Sequence, residues 1–252
     1  MNEVLHLSTP YTDQSNYDDV SINIDGDVVI TTDWEDAPNG IDNNFELGVK
    51  VSEYDGGIVT NNGVSSVAVG GSILLSGTDV VNTLIMHSNV TVADEITMGV
   101  QYYDYISTAN ILTINDLLTT SIGGPVVLKA VYNDVVMNGA GGAGDMPEIY
   151  GGYNTFTTGA GTDINGIVSF GGVYDSDGIG IEGYLIQKNE TNDVTIGGNV
   201  DGIDTSIDIG DGSANDSIDT ILVTGSVDDG LGGGSILTGG GDDSVTIDGG
   251  TV

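Results

Sequence analysis

The chain contains no cysteine and no arginine, and its only lysines are Lys50, Lys129 and Lys188. Without cysteine, a disulfide framework, a zinc–thiolate site and a thiol nucleophile are all excluded. Phosphate groups are bound mainly through Lys and Arg, so nucleic acid is not an expected partner. Long apolar runs are missing as well. None reaches the ~18 residues that a membrane-spanning helix needs, which predicts no insertion into a membrane.

The scarcity of cations leaves a large excess of negative charge. The 38 aspartates and glutamates give the chain a formal net charge of -35. Such a chain repels itself, and bound cations reduce that repulsion. The charge therefore favours binding of divalent cations. The alternative is an acidic surface that keeps the protein soluble in salty surroundings.

The residues that are abundant are those of an all-β protein. Valine, isoleucine and threonine favour strands, while glycine (41 residues), asparagine and aspartate favour turns. A hydrophobic fraction of 38% is too high for a disordered acidic chain. The composition therefore predicts short strands separated by Gly/Asp turns.

Apolar and polar residues alternate in several short segments of the N-terminal part. Residues 18–32 read as two strands around Gly26, and residues 45–51 read as one strand. Residues 67–75 repeat the strand–glycine–strand unit. These patterns predict β-structure well before the glycine content rises.

A change of composition near the middle of the chain predicts a boundary. Residues 117–137 are the most apolar segment; Gly123–Pro125 interrupts it, and its valines favour strands over a helix. The glycine-rich stretch that follows divides an N-terminal all-β region, residues 1–140, from a repeat region, residues 141–252.

In the repeat region, a short strand followed by a glycine turn recurs at short, uneven intervals. Clear copies begin at Val194, Ile207, Ile221, Ile236 and Val245. Such a unit is typical of a parallel β-solenoid, of the β-helix or β-roll kind. A β-sandwich, above all for the N-terminal region, is the alternative.

The most regular copy is residues 238–246, with the sequence TGGGDDSVT. A glycine turn leads to an aspartate and then to a short alternating strand. Carbonyl groups and carboxylates are the ligands that calcium prefers, and it takes about 6–8 of them. One turn cannot supply so many oxygens, so neighbouring turns must contribute.

This nonapeptide resembles the haemolysin-type calcium-binding repeat, known as RTX, with the pattern G-G-x-G-x-D-x-U-x, although Thr238 stands at the first glycine position. The resemblance implies a secreted β-roll with Ca2+ between its turns. The candidate metal ligands in this and other acidic turns are Gly239, Gly241, Asp242, Asp243, Asp163, Asp175, Asp177, Asp211 and Asp216. The alternative for the aspartates is turn formation through their own hydrogen bonds to the backbone.

Groups suited to catalysis are few. His6 and His87 are the only histidines, and no nucleophile motif accompanies either of them. Two carboxylates could form a glycosidase site on a β-helix. The lack of arginine and the scarcity of lysine count against recognition of acidic polysaccharides, although calcium could substitute for these cations. The chain is therefore not expected to be an enzyme.

Together these features predict a calcium-stabilised structural protein, located outside the cell or on its surface, in a filament, surface layer or matrix. The sequence stops on a repeat, and an open solenoid end exposes strand edges that a further copy can pair with. A homo-oligomer or polymer is the expected assembly. A glycan-binding adhesin module and a polysaccharide-active enzyme on a β-helix are the alternatives.

Overall fold

In the computed structural model, every regular element of the described residues is a β-strand. The all-β prediction is therefore confirmed. Most of the strand pairs are parallel, and the sheet they form is strongly curled and open. The described residues are 3–6, 20–32, 42–48, 51–54, 57–60, 64–102, 105–139, 147–171, 173–175, 186–188, 191–207, 217–227 and 234–248.

The parallel strands form three ladders, in which each strand pairs with strands from earlier and later parts of the chain. The first ladder consists of β2 (Val20–Ile24), β7 (Val64–Val69), β10 (Val90–Val92) and β14 (Ser121–Ile122). The second consists of β3 (Val28–Thr32), β8 (Ile73–Gly77), β11 (Ile96–Met98), the first part of β15 (Val126–Met137), β16 (Pro147–Tyr150), β18 (Ile164–Gly171), β22 (Val200–Ile207) and β24 (Ser235–Leu237).

The third ladder consists of β1 (Glu3–His6), β4 (Asn43–Leu47), β9 (Val81–Met86), β13 (Tyr105–Ile114), the second part of β15, β17 (Tyr153–Thr158), β21 (Thr191–Ile196), β23 (Ile218–Val223) and β25 (Ser244–Ile247). The antiparallel pairs are hairpins. They join β5 (Val51–Tyr54) to β6 (Gly57–Thr60), β12 (Gln101–Tyr102) to β13, and β19 (Val173–Asp175) to β20 (Ile186–Lys188).

We call one passage of the chain through the ladders a rung. In the described ranges, the four rungs from β2 to β15 visit all three ladders, and the four rungs after them visit only the second and third. In the fourth rung, β15 runs along both ladders without a turn and pairs with β16 and β17 of the next rung. These pairs bridge the predicted boundary near residue 140, while the division into two domains itself stays a prediction.

Strand alternation places one column of side chains from the third ladder inside every rung. Phe45, Leu84, Leu112, Val135 and Phe156 are completely buried. Burial of one such side chain stabilises a fold by about 1.5–3 kcal/mol. The core thus extends from rung to rung as a continuous column.

The predicted strands around Gly26 are confirmed as β2 and β3, and those of residues 67–75 as β7 and β8. In both cases the two strands do not pair with each other, because each belongs to a different ladder.

The repeat predicted in the C-terminal part also arises because successive strands belong alternately to two ladders. The copy at Val194 lies in the third ladder, the one at Ile207 ends a strand of the second, and the pattern alternates from there.

The turns that lead from the third ladder to the second stack closely on one another. A Cβ atom added at Gly197 would lie 2.1 Å from the carbonyl oxygen of Gly159 in the rung before. A Cβ atom at Gly225 would lie 2.3 Å from the carbonyl oxygen of Gly198. Glycine is required at both places because backbone from the neighbouring rung fills the space of a side chain.

Candidate functional site

A row of buried asparagine side chains runs through the third ladder, one from each of six successive rungs. Its members are Asn43, Asn82, Asn110, Asn133, Asn154 and Asn192. Each Nδ2 donates a hydrogen bond to Oδ1 of the next member, with lengths of 2.8, 3.0, 3.0, 2.8 and 2.8 Å. The row therefore links the rungs through their interior.

Each amide in this asparagine row also uses its second hydrogen. The acceptors are the backbone oxygens of Ser76, Met98, Tyr150 and Gly151 and the hydroxyl oxygens of Ser107 and Ser217. These acceptors are on the segments that lead into the third ladder. A buried polar group is costly unless it is hydrogen-bonded. The row meets that requirement and fixes the path of the chain at this corner.

Aspartates continue the asparagine row into the last two rungs. The amide of Asn192 donates to Oδ1 of Asp219 over 2.7 Å, and Asp219 is completely buried. The backbone N–H of Asp219 in turn donates to Oδ1 of Asp243 over 3.2 Å. Asp243, one of the calcium ligands predicted from the sequence, thus occupies the next position of the row.

A sequence signal for the row exists, although sequence reasoning missed it. All members but one are followed by apolar residues at the second and fourth positions after them, as in Asn82-Thr-Leu-Ile-Met86 and Asn192-Asp-Val-Thr-Ile196. Asn154 is the exception, because it is followed by Phe156 and Thr158. Successive members are separated by 39, 28, 23, 21, 38 and 27 residues. The uneven spacing hides the pattern from any search for a fixed period.

The turn predicted to bind calcium has the backbone of a glycine turn. Gly239 and Gly241 have φ angles of 72° and 116°, which glycine adopts readily. Asp242 is exposed, and Asp243 is half-buried with one carboxylate oxygen on the Asp219 N–H. This hydrogen bond joins neighbouring strands, unlike the local hydrogen bond that the turn interpretation expects, and it engages one of the two carboxylate oxygens.

Asp163 lies away from that turn, in the connection from the third ladder to the second. Its Oδ1 accepts a hydrogen bond of 2.7 Å from the N–H of Asn199 in the next rung. Oδ1 of Asn199 accepts one of 2.9 Å from Ser226 N in the rung after that. Asp163 therefore links stacked turns, and the structure does not bring it to Asp243.

Of the remaining predicted ligands, Asp177, Asp211 and Asp216 lie outside the described residues. Asp175 is the last residue of β19, and its side chain is not among those described. Of the acidic and histidine side chains in the described ranges, no three are close enough to hold a metal ion. Asp242 and Asp243 thus fit a calcium site only if the connections of neighbouring rungs add oxygen ligands.

His87 lies at the corner between the third ladder and the first. Its Nδ1 is 3.0 Å from Nδ2 of Asn115, and its Nε2 is 3.6 Å from Oε2 of Glu46. His87 therefore has an amide neighbour in the following rung and a carboxylate neighbour in the preceding rung, so its side chain contacts both adjacent rungs.

A group of aromatic side chains lies on the outer surface where the second ladder meets the third. The rings of Tyr132 and Tyr153 stack with centroids 5.0 Å apart and an angle of 14° between their planes. Around the corner, Lys129 Nζ lies 5.7 Å from the centroid of the Tyr150 ring. The Tyr150 hydroxyl donates to Oε2 of Glu148 over 3.1 Å.

The pKa of Tyr150 is raised from 10.0 to about 12. Burial of the phenol is the largest cause, followed by the negative charge of Glu148 and the hydrogen bond to it. Each of these favours the neutral phenol over the phenolate. Tyr150 is therefore a hydrogen-bond donor throughout the neutral range.

Comparison with known proteins found no matching family model, no matching curated protein and no matching solved structure. The described residues also contain no helix that is long and apolar enough to span a membrane.

Proposed function

We propose that the chain is a parallel β-solenoid and serves as a calcium-stabilised structural subunit of an extracellular filament, surface layer or matrix. The observation that carries the proposal is the asparagine row together with the in-register strands of the third ladder. One inward column repeated from rung to rung is the construction principle of a solenoid. An elongated, internally hydrogen-bonded rod is suited to a mechanical role.

The last described rung supports assembly through its open end. Val245 occupies the inward position that Ile221 and Val194 occupy in the two preceding rungs, where they are 1% and 0% exposed. Val245 itself is 45% exposed. Within the described residues, β25 pairs only with β23, so its other edge can accept a further parallel strand.

The opposite end of the described rungs offers a matching surface. Ile22, Val28 and Ile30 point to the core but are only partly buried. Both ends therefore combine an apolar interior with parallel strand edges, and we propose that the end of one copy stacks on the start of another. A head-to-tail contact of this kind generates an open filament unless rotation closes it into a ring.

Calcium has a place in this proposal through the connections from the second ladder to the third. In the last three rungs these connections contain the predicted ligands Asp175 and Asp177, Asp211 and Asp216, and Asp242 and Asp243. Successive connections on the same side of a solenoid are neighbours. They would supply the carboxylate and carbonyl oxygens that one turn lacks. Bound calcium would also offset part of the net charge of -35.

The experiment is a calcium titration of chelator-stripped protein, followed by circular dichroism, light scattering and electron microscopy. We expect the β-signal and the particle length to rise together. Val245→Asp places a charge on the open end and should abolish growth while the β-signal persists. Thr246→Asp, on the outward side of the same strand, is the matched control and should assemble normally. Particles that stay monomeric with calcium, or growth of Val245→Asp filaments, would contradict the proposal.

A further inference from the structure

The outer surface of the third ladder carries one column of side chains with uneven heights. From the second rung to the seventh, its members are Val81, Ala109, Tyr132, Tyr153, Thr191 and Ile218, each in register with the next. Tyr132, Tyr153 and Ile218 are 51%, 42% and 53% exposed. The small residues Ala109 and Thr191 lie on either side of the stacked tyrosines.

Where a small side chain lies between two larger ones in this column, it leaves a slot that opens to solvent, and there are two such slots among these members. Neighbouring strands are about 4.8 Å apart, so the side chains on either side of Thr191 originate about 9.5 Å from each other. Tyr153 and Ile218 form the walls of this slot, and Thr191 forms its floor. A second slot has Val81 and Tyr132 as walls and Ala109 as its floor. Because ring atoms in contact are about 3.5–4.0 Å apart, each slot has room for one flat ring.

Polar groups adjoin both slots on the same strands. Asp134 is two residues after Tyr132, and Asp193 is two residues after Thr191, and both are exposed. Thr155 lies beside Asp193 in the neighbouring strand and is exposed as well. A carboxylate accepts short, strong hydrogen bonds from hydroxyl groups. Each slot thus combines an aromatic face with acceptors for hydroxyl groups.

We propose that these two slots bind a neutral polysaccharide, with one sugar ring stacked on the free face of Tyr132 and another on the free face of Tyr153. The apolar C–H face of a pyranose packs against the electron-rich face of an aromatic ring. Its hydroxyl groups reach Asp134 or Asp193. The net charge of -35 disfavours acidic polysaccharides. The same charge would attract a basic partner, so polylysine serves as the competing ligand in the test.

This site goes beyond the structural role proposed above and does not depend on it. A rod that forms without calcium, or one that never assembles, would still present the slots. Binding is therefore measured on soluble protein, with and without calcium, so that failure of assembly and failure of glycan recognition are separate results.

The test is retention of the protein on insoluble cellulose, chitin, starch and a β-1,3-glucan, followed by titration with soluble oligosaccharides of the retaining polymer. Tyr132→Ala and Tyr153→Ala should each weaken binding about tenfold, since each removes one stacking face. Thr191→Tyr should extend the tyrosine stack, fill one slot and weaken binding comparably without disturbing the fold.

Leu118→Ala is the control, because Leu118 is 70% exposed but lies in a turn outside the column. It should bind as the unmodified protein does. Retention on none of the neutral polymers would overturn the proposal, and so would binding that Tyr153→Ala and Thr191→Tyr leave unchanged. Preferential capture by polylysine that depends on Tyr132 would also overturn it, because the slots would then be sites for cationic groups.

Discussion

The side-chain amide of Asn192 donates a 2.7 Å hydrogen bond to the buried carboxylate of Asp219, at the point where the asparagine row passes to aspartate. The row of amides therefore ends on a buried carboxyl group, whose Oδ1 is the acceptor for its last member. The stability of the whole ladder should depend on the continuity of the row.

Asn110→Ala interrupts the row in its middle. The change removes the acceptor of Asn82 and the donor to both Asn133 and the Met98 carbonyl. We expect the free energy of unfolding to fall by about 3 kcal/mol, because buried polar groups lose their partners. Urea unfolding followed by circular dichroism measures the loss. Asn23→Ala, at an exposed position of β2, should change stability by less than about 0.5 kcal/mol. Equal effects of the two changes would show that the row has no special role.

Substitutions of Asp243 separate its two possible roles. Asp243→Asn keeps an oxygen acceptor for the Asp219 N–H but lowers the charge available to calcium. We expect unchanged stability in chelator and a reduced stabilisation by calcium, measured by thermal unfolding in both conditions. Asp243→Ala should lose about 1 kcal/mol even in chelator, because the N–H loses its acceptor. A full calcium response in the asparagine variant would remove Asp243 from the list of ligands.

Gly197→Ala tests the close stacking of the turns. The new Cβ atom would lie 2.1 Å from the Gly159 carbonyl oxygen, and backbone atoms cannot move aside as a flexible side chain can. Overpacking of this kind should cost about 3 kcal/mol in urea unfolding. Gly152→Ala is the matched control, since its nearest neighbour, the Val131 oxygen, is at an ordinary 3.4 Å. Similar stability of the two variants would mean that the turns can separate.

Tyr150 gives the fold a specific dependence on alkaline pH. Its pKa is raised from 10.0 to about 12, so the phenol holds its proton more tightly in the folded than in the unfolded chain. The resulting stabilisation is complete below pH 10 and is lost as the pH rises towards 12. The ultraviolet absorbance of phenolate, compared between the protein and Tyr150→Phe, reports this late titration. Glu148→Gln should lower the pKa while burial keeps it above 10. An unchanged pKa would exclude Glu148 as a cause.

The local strands were predictable because alternation is a property of neighbouring residues. The alternation at Val28 and Ile30, or at Ile73 and Leu75, predicts which side of the strand faces the core from local sequence alone. The pairing partners were not predictable from the same pattern. β2 and β3 read as two strands around a turn, but each pairs with a strand 45 residues away, Ser21 with Ser66 and Val28 with Ile73.

The asparagine row escaped prediction for a different reason. Asn82 and Asn110 become partners only when strands from two rungs lie side by side, and the uneven spacing of the members hides their shared local pattern. Asp243 shows the same ambiguity. Its glycine turn suggests a metal ligand, and only the position of Asp219 reveals that one of its oxygens is bonded to the backbone.

The separations between consecutive members of the asparagine row range from 21 to 39 residues, yet the hydrogen bonds between them stay between 2.8 and 3.0 Å. Differences in chain length are therefore absorbed entirely outside the core, in the connecting segments. Such a frame tolerates insertions at its edges without loss of register. Peptides grafted between β18 and β21, where 38 residues already separate Asn154 from Asn192, would be displayed at a fixed position along the third ladder.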